Sequence, residues 1–455
     1  MRRSPRLAYL TTRYPALSHT FIEREVQALR RLGAQVQTIS LRRATGEHLI
    51  SPANRAAARS TYAIRPPRWG DVLRAHARAL ASHPRAYGAT LVEALSLARC
   101  GPRGVLWQLF YFAEALVAWS CCREGGAEHI HAHHGSAPAD VALLVAAFAR
   151  RAGEGPRSWS LTVHGPAELS DVRLFGLAAK AARADAVVCI SEFARSQIMA
   201  LLDQRDWDKL RVVHCGVEPW AYAAAAQRPR PVVALAERRA RRGGLGARRE
   251  DPAQLLCVGR LVAEKGHAVL LDAVARLARE GRNVEALIVG SGPQRDALQR
   301  QAVRLGIEER IILCGALAPD EVAARYAQAR VFCSPSFAEG VPVVLMEAMA
   351  SGCPVIATAI AGVRELVRDG DTGLLVTPGN SQELAAAIGL LLDSPELSDE
   401  LARAARAHVC GEFDIDRSAL VLLDVFTAIH PSRPQADATE PAPAAPDRAA
   451  ALAGG

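Results

Sequence analysis

The stretch from residue 332 to 362 constrains the fold most, because it reads as one complete strand–loop–helix unit. A short apolar run at 329–334 predicts a buried strand, and a loop of small residues follows it. Pro342 and Gly352 then predict where a helix starts and stops. A buried strand that leads into a helix is the repeating unit of parallel α/β sheets, so the sequence predicts that fold class.

Two carboxylates accompany this helix. Glu339 lies in the loop, and Glu347 interrupts an otherwise apolar helix, where an unpaired carboxylate would be costly. The backbone N–H groups from Gly340 to Val344 precede or open the helix and favour an anion. Carboxylates for hydroxyl groups beside amides for phosphate suit a nucleotide sugar. In the alternative reading, Glu347 caps a neighbouring backbone and Glu339 belongs to a turn.

The E-x7-E spacing of Glu339 and Glu347 resembles the signature of the retaining GT-B glycosyltransferases, and the surrounding sequence resembles their family 4. The resemblance extends over most of residues 5–430. It implies two Rossmann-like, doubly wound α/β domains that face a cleft. It also implies that Glu339 contacts the donor sugar hydroxyls and that Glu347 contacts the nucleotide ribose. The residues implied to cradle the diphosphate are Gly340, Val341, Pro342, Val343 and Val344.

A second motif supplies positive charge. The sequence GRLVAEKG at 259–266 follows a predicted strand and resembles the G-R-x-x-x-x-K-G donor-phosphate motif of the same family. Arg260 and Lys265 are therefore expected to neutralise the diphosphate as charge develops on the leaving group. The compact ammonium group of Lys265 suits phosphate well.

Two sites in the amino-terminal half follow predicted strands. The loop 12–20 comes after the strand Leu7–Thr11, at the edge where doubly wound sheets bind ligands. Family members often carry a glycine pair in this loop, which is absent here; its candidate acceptor-side residues are Ser18, His19 and Thr20. His164 ends the strand Trp159–Val163, directly before Gly165 and Pro166. By resemblance His164 contacts the donor sugar, so His164 and Glu339 are the predicted catalytic residues.

Four histidines crowd the sequence EHIHAHH at 128–134. The period of a strand places His129, His131 and His133 on one face, which raises a metal site as an alternative. No acidic or cysteine ligand follows nearby in the sequence, and no metal is expected. The run also resembles an HAHFGS-like segment of the family, a strand that leads into a helix.

The length of 455 residues predicts two domains. We expect an acceptor-side domain at 1–217, a flexible linker or surface insertion at 218–251 and a nucleotide-sugar domain at 252–410. By resemblance, a helix at 411–430 returns to the first domain. The Pro- and Ala-rich tail at 431–455 is expected to be disordered.

The amino-terminal part is strongly basic, since residues 1–130 contain 19 Arg and no Lys against 8 acids. This charge suits a phosphorylated acceptor or a membrane surface, and the lack of a nucleic-acid motif argues against nucleic acid. Helical spacing at 75–97 and 105–122 predicts a buried helix pair, with a monotopic membrane contact as the alternative. No segment is expected to cross a membrane. Ten cysteines without a C-x-x-C pair suggest a reducing cytoplasm.

The expected activity is retaining transfer of a sugar from a UDP- or GDP-sugar to a hydroxyl group, without a metal or other cofactor. The segment FIEREVQAL at 21–29 resembles the exopolysaccharide and colanic-acid branch of the family, which implies a glycan or polyprenyl-linked oligosaccharide acceptor. A cytoplasmic protein, with attachment to the cytoplasmic face of a membrane as an option, fits this activity. The alternatives are a non-catalytic nucleotide-sugar-binding or scaffold subunit and a nucleotide-sugar epimerase.

Overall fold

The chain forms two parallel sheets, each within its own α/β domain. The computed structural model describes residues 5–16, 19–49, 51–98, 101–226 and 252–429. Ser18, most of the predicted linker and the predicted tail at 431–455 lie outside these residues. Within them, every recorded strand pairing is parallel, so the predicted doubly wound α/β class is confirmed for both domains.

The first sheet has the strand order β3-β2-β1-β4-β5-β6-β7. Its strands are largely buried, as expected for a parallel sheet covered on both faces; the centre of β1 and all of β6 are apolar, whereas β4 and β5 also bury histidines and hydroxyl groups. They are β1 Arg6–Arg13, β2 Gln35–Arg42, β3 Tyr62–Arg65, β4 His129–His133, β5 Ser158–Val163, β6 Ala186–Cys189 and β7 Leu210–Val212. The α-helices around it are Thr20–Arg31, Pro52–Ser60, Trp69–Ser82, Pro84–Ser96, Pro102–Glu124, Ala137–Ala152, Pro166–Leu169, Val172–Phe175, Leu177–Arg183 and Glu192–Met199.

The second sheet has the order β10-β9-β8-β11-β12-β13. Its strands are β8 Ala253–Val258, β9 Val284–Val289, β10 Ile311–Gly315, β11 Val331–Ser334, β12 Val355–Thr358 and β13 Leu374–Val376. The α-helices that follow residue 252 are His267–Arg279, Arg295–Leu305, Pro319–Gln328, Val343–Ala350, Val363–Leu366, Ser381–Asp393, Pro395–Glu412 and Ile415–Ala428. Each sheet reverses its strand order once, between β1 and β4 and between β8 and β11.

Two sequence-based boundaries need correction. The predicted helix at 75–97 is two helices, because Pro84 cannot continue the preceding helix and instead opens the next one. Part of the predicted flexible linker is the helix Pro219–Ala226. Its Tyr222 is buried in the same apolar cluster as Tyr326 of the second domain, so the chain is anchored to that domain before the undescribed segment begins.

The last described helix, Ile415–Ala428, packs on the first domain rather than on the second. Its Phe426 lies against Tyr9, with ring centroids 6.3 Å apart, and its buried side chains share a cluster with β1 and with the helix Thr20–Arg31. The helix Pro395–Glu412 leads into it. The polypeptide therefore crosses between the domains twice.

The helix Pro102–Glu124 differs along its length. By length and composition it could span a membrane, but half of its most apolar window is buried within the domain. Phe112 and Trp119 belong to the core, as the predicted buried helix pair requires. Trp107 and Phe110, nearer the start of the helix, are more than half exposed. The helix is thus a core element whose first turns project from the domain.

Candidate active site

The two places where the sheets reverse their strand order face the same region between the domains. Ligands of doubly wound sheets bind at the carboxyl ends of the strands at such points. In the first domain, the loops after β1, β4 and β5 converge there. In the second domain, the loops after β8 and β11 do. These five loops carry most of the site residues predicted from the sequence.

Lys265 and Glu339 form an ion pair across the second-domain loops. The Lys265 Nζ donates to Glu339 Oε1 at 2.6 Å, and the Ser336 hydroxyl donates to the same oxygen at 2.7 Å. The two loops are locked together at Gly266, where a Cβ atom would lie 1.9 Å from the Pro335 carbonyl oxygen. Lys265 and Glu339 therefore act as one preformed charged unit, although the sequence suggested separate phosphate and sugar roles.

The helix Val343–Ala350 opens directly beyond this pair, with Pro342 as its N-cap. Proline has no N–H group, so Pro342 cannot donate to a phosphate as the five-residue cradle implied. Its carbonyl instead accepts from Leu345 and Met346 within the helix. The N–H donors available at this end come from Gly340, Val341, Val343 and Val344, which keeps the anion site but with one donor fewer.

Glu347 lies one turn further along this helix and is held from both domains. Arg24 of the first domain donates to Glu347 Oε1 at 2.7 Å, and the Tyr326 hydroxyl donates to Oε2 at 3.0 Å. Burial, followed by the charge of Glu347, raises the pKa of Tyr326 well above its ordinary value and keeps it a donor. A carboxylate has about four acceptor positions. The Tyr222 hydroxyl is a third partner of Glu347. About one position therefore remains for a ribose hydroxyl, which the family resemblance assigns to Glu347.

Arg260 stands apart from the Lys265–Glu339 pair. Its side chain is 62% exposed, and its recorded ion-pair partner is Glu264 at 3.9 Å. The carbonyl oxygen of Arg260, which can only accept a hydrogen bond, lies 3.1 Å from His267 Nε2. This contact fixes the backbone of the loop. The exposed side chain of Arg260 can therefore move towards a bound anion, but its guanidinium does not contact Glu339 in the structure.

His164 lies at the seam between the domains. The backbone N–H of His164 donates to Glu168 Oε2 at 2.7 Å, and the backbone N–H of Gly135 donates to Oε1 of the same carboxylate at 2.5 Å. Across the seam, a Cβ atom on Gly340 would lie 2.3 Å from the His164 carbonyl oxygen. Burial, followed by the neighbouring histidines, holds the pKa of His164 well below its usual range. His164 is therefore a neutral imidazole beside the loop of Glu339.

The alternating histidines of β4 face alternating hydroxyls of β5. His129 contacts Ser158 and Ser160 at 2.9 and 2.7 Å, and His131 contacts Ser160 and Thr162 at 2.7 and 2.9 Å. Ligand atoms of Glu25, His131 and His133 do lie within 4.8 Å of one another, a spacing that could hold a metal ion. Both ring nitrogens of His131 already have hydroxyl partners, so this geometry favours a structural ladder over metal coordination.

The candidate acceptor-side loop is described only in part, because Ser18 lies outside the described residues. His19 precedes the helix Thr20–Arg31, and Thr20 is the first residue of that helix rather than a loop residue. The His19 ring lies 4.9 Å from the His134 ring, which brings this loop to the edge of His164. Burial, followed by His134 and His133, lowers the pKa of His19 to about 3.

Several contributors to this site did not stand out in the sequence: Arg24, Glu25, Glu168, Ser336 and Tyr326. Arg24 and Glu25 belong to an ordinary-looking amphipathic helix, and only the apolar surroundings of Glu347 signalled that it needs a partner from elsewhere. Glu168 follows His164 by four residues, a spacing that could have suggested the contact.

Comparison with known proteins agrees with this architecture. Residues 246–408 match the family described as Glycosyl transferases group 1. A D-inositol 3-phosphate glycosyltransferase of Streptomyces griseus is 30% identical over 330 residues, which cover 70% of this chain and 66% of that protein. An alpha-D-kanosaminyltransferase of Streptomyces kanamyceticus is 31% identical over 180 residues, 40% of this chain and 47% of that protein. The chain spans about half the length of most of the curated relatives it matches first.

Solved structures show the same fold at low identity. Anabaena Alr3699/HepE, in a complex with UDP and glucose, has a TM-score of 0.68 and 20% identity over 93% of this chain and 100% of that one. A glycosyltransferase from Rickettsia africae has a TM-score of 0.65 and 17% identity over 94% and 99%. The second domain thus matches the family Glycosyl transferases group 1 over residues 246–408, and the two Rossmann-like domains together have the GT-B fold of the solved glycosyltransferase structures.

Proposed function

We propose that the protein transfers a glycosyl unit from a UDP- or GDP-sugar to a hydroxyl group of a lipid-linked oligosaccharide, with retention of the anomeric configuration, in exopolysaccharide or cell-surface glycan synthesis. The donor lies between the domains and the acceptor enters from the first domain. No other cofactor takes part.

The Lys265–Glu339 pair, set before the open amides of the helix Val343–Ala350, is the observation that carries this proposal. An ammonium group and N–H donors suit the two phosphates, and the carboxylate suits sugar hydroxyls. Because Glu339 is buried and anchored by Ser336, its orientation is set before a ligand arrives. His164 stands opposite, so a sugar attached to the diphosphate would lie between Glu339 and His164.

The reaction then follows from what these groups can hold. The bond between the anomeric carbon and the diphosphate oxygen breaks, and an acceptor oxygen bonds to the same carbon on the same face. The acceptor proton passes to the departing phosphate oxygen. Lys265 and the helix amides stabilise the negative charge on that phosphate. Glu339 and Glu347 are both engaged by cations, which supports front-face transfer over attack by a carboxylate nucleophile.

Thermal unfolding in the presence of UDP, GDP and their sugars tests donor binding. A ligand at about 100 times its Kd stabilises the protein by about 2.7 kcal/mol. We expect the cognate nucleotide to raise the Tm of the wild type, and K265M to lose that shift. Lys209, which pairs with Asp206 outside the cleft, supplies the matched control K209M. If the nucleotide raises the Tm of K265M as much as it raises that of the wild type, the phosphate role of Lys265 is refuted.

The sugar role needs its own comparison. The wild type is expected to be stabilised more by the nucleotide sugar than by the nucleotide alone, and E339Q is expected to lose only that additional increment. Proton NMR of the product glycoside then reports the anomeric configuration, and inversion would contradict the mechanism. A non-catalytic binding subunit would instead bind the donor without any turnover.

The exposed apolar side chains of the first domain support a membrane contact for the acceptor. Ten of the nineteen exposed large hydrophobic side chains among the described residues lie between 69 and 110. Three helices carry them: Trp69–Ser82, Pro84–Ser96 and Pro102–Glu124. A concentration of this kind marks an interaction surface in a soluble domain.

Contacts between the three helices bring most of these side chains to one end, whereas Leu80 lies towards the other end. His76 lies 3.4 Å from the Ala113 carbonyl, and the His83 ring lies 6.3 Å from the Trp119 ring, so the first and third helices run parallel. This register puts Trp69 level with the first turns of the third helix. The middle helix runs back and ends at the same level. We call this end, with Trp69, Leu95 and residues 105–110, the helical tip.

The charge around the helical tip selects the partner. Residues 66–110 contain six arginines and two acids. Asp71 pairs with Arg74, and Glu93 pairs with Arg151 at 2.7 Å, so both acids are already neutralised. Arg68 directly precedes the helix Trp69–Ser82, and Arg103 lies in the first turn of the helix Pro102–Glu124, so these two arginines lie at the helical tip. Exposed aromatic and aliphatic groups beside arginine suit the interface of an anionic lipid bilayer. We therefore propose that the helical tip docks on the cytoplasmic face of such a membrane.

Co-sedimentation with vesicles tests this docking. Wild-type protein should bind phosphatidylcholine vesicles that contain 30% phosphatidylglycerol (a composition of about one anionic lipid in three) more tightly than pure phosphatidylcholine vesicles. The double variant W107S/F110S removes two exposed side chains and should weaken binding at least about tenfold. L420S/V421S, which removes two exposed side chains of the last helix, is the matched control. Equal binding of both double variants would refute the helical tip as the contact.

A further inference from the structure

Three arginines stand side by side where the first three strands of the first sheet end. Arg13 of β1 lies in register with Arg42 of β2, and Arg42 lies in register with Arg65 of β3. Neighbouring strands are about 4.8 Å apart, so the three Cα atoms span about 10 Å. Like charges directly opposite each other on neighbouring strands destabilise a sheet. We call Arg13, Arg42 and Arg65 the arginine row.

The neighbours of the arginine row do not neutralise its charge. Arg65 Nε lies 2.7 Å from Glu114 Oε1, in an ion pair without the geometry of a hydrogen bond. Arg13 Nη1 lies 2.6 Å from His48 Nε2, which accepts because a guanidinium only donates, so this contact brings no negative charge. Arg42 is exposed, and no side-chain hydrogen bond or ion pair is recorded for it among the described residues.

The surroundings of the arginine row add to the excess of positive charge. Burial raises the pKa of Glu114, and the charges of Arg65 and then Arg42 oppose this rise, so both guanidinium groups share one buried carboxylate. Residues 40–68 contain six arginines and one acid. Arg43, directly after β2, is exposed and has no recorded side-chain partner in the described part of the chain. A surface of this kind attracts a ligand that carries several negative charges.

The arginine row lies at the base of the helical tip. The helix Pro102–Glu124 reaches the level of the row at Glu114. At the end of this helix, a Cβ atom on Gly125 would lie 2.4 Å from Gln37 Oε1, in the amino-terminal half of β2. The helix therefore runs opposite to β2, and its first turns extend past the carboxyl edge of the sheet. At 1.5 Å per residue, Trp107 lies about 10 Å beyond Glu114.

This distance matches the depth of a membrane interface. Apolar side chains of interfacial helices lie about 5–10 Å deep in the headgroup region. Trp69, at the helical tip, follows Arg65 by only four residues, which an extended chain spans in at most about 14 Å. When the helical tip docks on a membrane, the arginine row therefore lies at the level of the lipid phosphate groups.

We propose that the arginine row, together with Arg43, binds the diphosphate of a polyprenyl-linked acceptor. This inference rests on the proposed function for the lipid-linked acceptor. A diphosphate has oxygens on two phosphorus atoms, so guanidinium groups from neighbouring strands can each bind it through paired N–H groups. The strand order places β4 and β5 directly beyond β1. A glycan attached to the diphosphate can thus extend from Arg13 along the edge of the sheet into the cleft.

Co-sedimentation of the full chain with vesicles tests the arginine row. One set of phosphatidylcholine vesicles contains undecaprenyl diphosphate, and the other contains phosphatidylglycerol with the same total charge. We call the ratio of the two affinities the diphosphate preference. The wild type should bind the first set at least about tenfold more tightly, since hydrogen bonds to charged groups are strong. R42M/R43M should lower the diphosphate preference to about one.

A matched variant controls for the loss of net charge. Arg78 and Arg85 are exposed and have no recorded side-chain partner among the described residues. They lie near His83, whose ring is 6.3 Å from Trp119, at the end of the helices opposite to the helical tip. R78M/R85M should keep the diphosphate preference. A wild type without this preference, an undiminished preference in R42M/R43M, or an equal loss in R78M/R85M would each overturn the proposal.

The donor site also binds a diphosphate, so the two sites need to be distinguished. K265M should keep the diphosphate preference, and R42M/R43M should keep the rise in Tm that the cognate nucleotide causes. A preference lost in K265M and kept in R42M/R43M would place the polyprenyl diphosphate in the donor site and overturn the proposal. If no nucleotide raises the Tm of the wild type, the proposed function fails, whereas the vesicle result still decides whether the arginine row binds a diphosphate.

Discussion

Removal of the Arg24 guanidinium should weaken the contact between the two domains more than the loss of an exposed ion pair would. Arg24 and Glu347 lie 2.7 Å apart, and their side chains are only 14% and 11% exposed. R24M leaves the Glu347 carboxylate buried without a cation, with the hydroxyls of Tyr326, at 3.0 Å, and of Tyr222 as its remaining partners. Breaking a buried pair in this way costs about 3–5 kcal/mol, because one charge stays without compensation.

The same helix offers a matched control in Arg31. Its guanidinium lies 2.6 Å from Asp416 of the last helix, but the two side chains are 43% and 50% exposed. Exposed pairs contribute about 0–1 kcal/mol. R31M should therefore have little effect, although its distance is as short as that of the buried pair.

Differential scanning calorimetry of R24M, R31M and R24M/E347Q measures the difference. At about 2–4 °C per kcal/mol, R24M should lower the Tm by roughly 6–20 °C and R31M by no more than about 4 °C. The double variant R24M/E347Q removes the stranded charge and should recover part of the loss. Equal Tm values for R24M and R31M would refute the argument that burial, rather than distance, decides the energy of these pairs.

Three further predictions concern the seam and the histidines. G340A should lower donor turnover, measured as kcat/KM, because its Cβ would lie 2.3 Å from the His164 carbonyl oxygen; wild-type turnover would show that the seam opens during the reaction. The Tm should fall as the pH drops from about 6.5 towards 3. The reason is that the pKa of His19 is lowered to about 3 in the folded protein, so the histidine takes up a proton when the protein unfolds in this pH range. H19N should flatten the dependence of Tm on pH, and an unchanged dependence would exclude His19 as its source. E168Q, which can accept at only one side-chain atom, should lose one of the backbone hydrogen bonds to Gly135 and His164 and about 1–3 kcal/mol in urea unfolding, and an unchanged midpoint would contradict this.

The sheets could be predicted from the sequence because a strand buried on both faces needs a continuous apolar run. β11 and the helix after it, bounded by Pro342 and Gly352, follow this rule directly. The loop residues at the strand ends, including Lys265 and Glu339, could be placed at one edge for the same reason. The Lys265–Glu339 bond itself depends on the close approach between Gly266 and Pro335, which belong to segments far apart in the sequence.

Contacts between distant segments could not be predicted in this way. Arg24 and Glu347 are separated by 323 residues, and nothing in the helix of Arg24 distinguishes it from a surface arginine. The burial of the aromatic residues of the helix Pro102–Glu124 could not be predicted either, because the composition of the helix is apolar along its whole length. The packing decides that Trp119 is buried and that Trp107 is exposed.

The return of the helix Ile415–Ala428 has a consequence for synthesis on the ribosome. Tyr9 and its neighbours in β1 emerge first, yet the apolar surface beside them is completed by Phe426. At about 5–20 residues per second, the roughly 400 residues between them take about 20–80 s to translate. During that interval the apolar surface of the nascent first domain is not yet covered. We therefore expect that a chaperone binds this surface, or that the first domain completes its folding only after the last helix has been made.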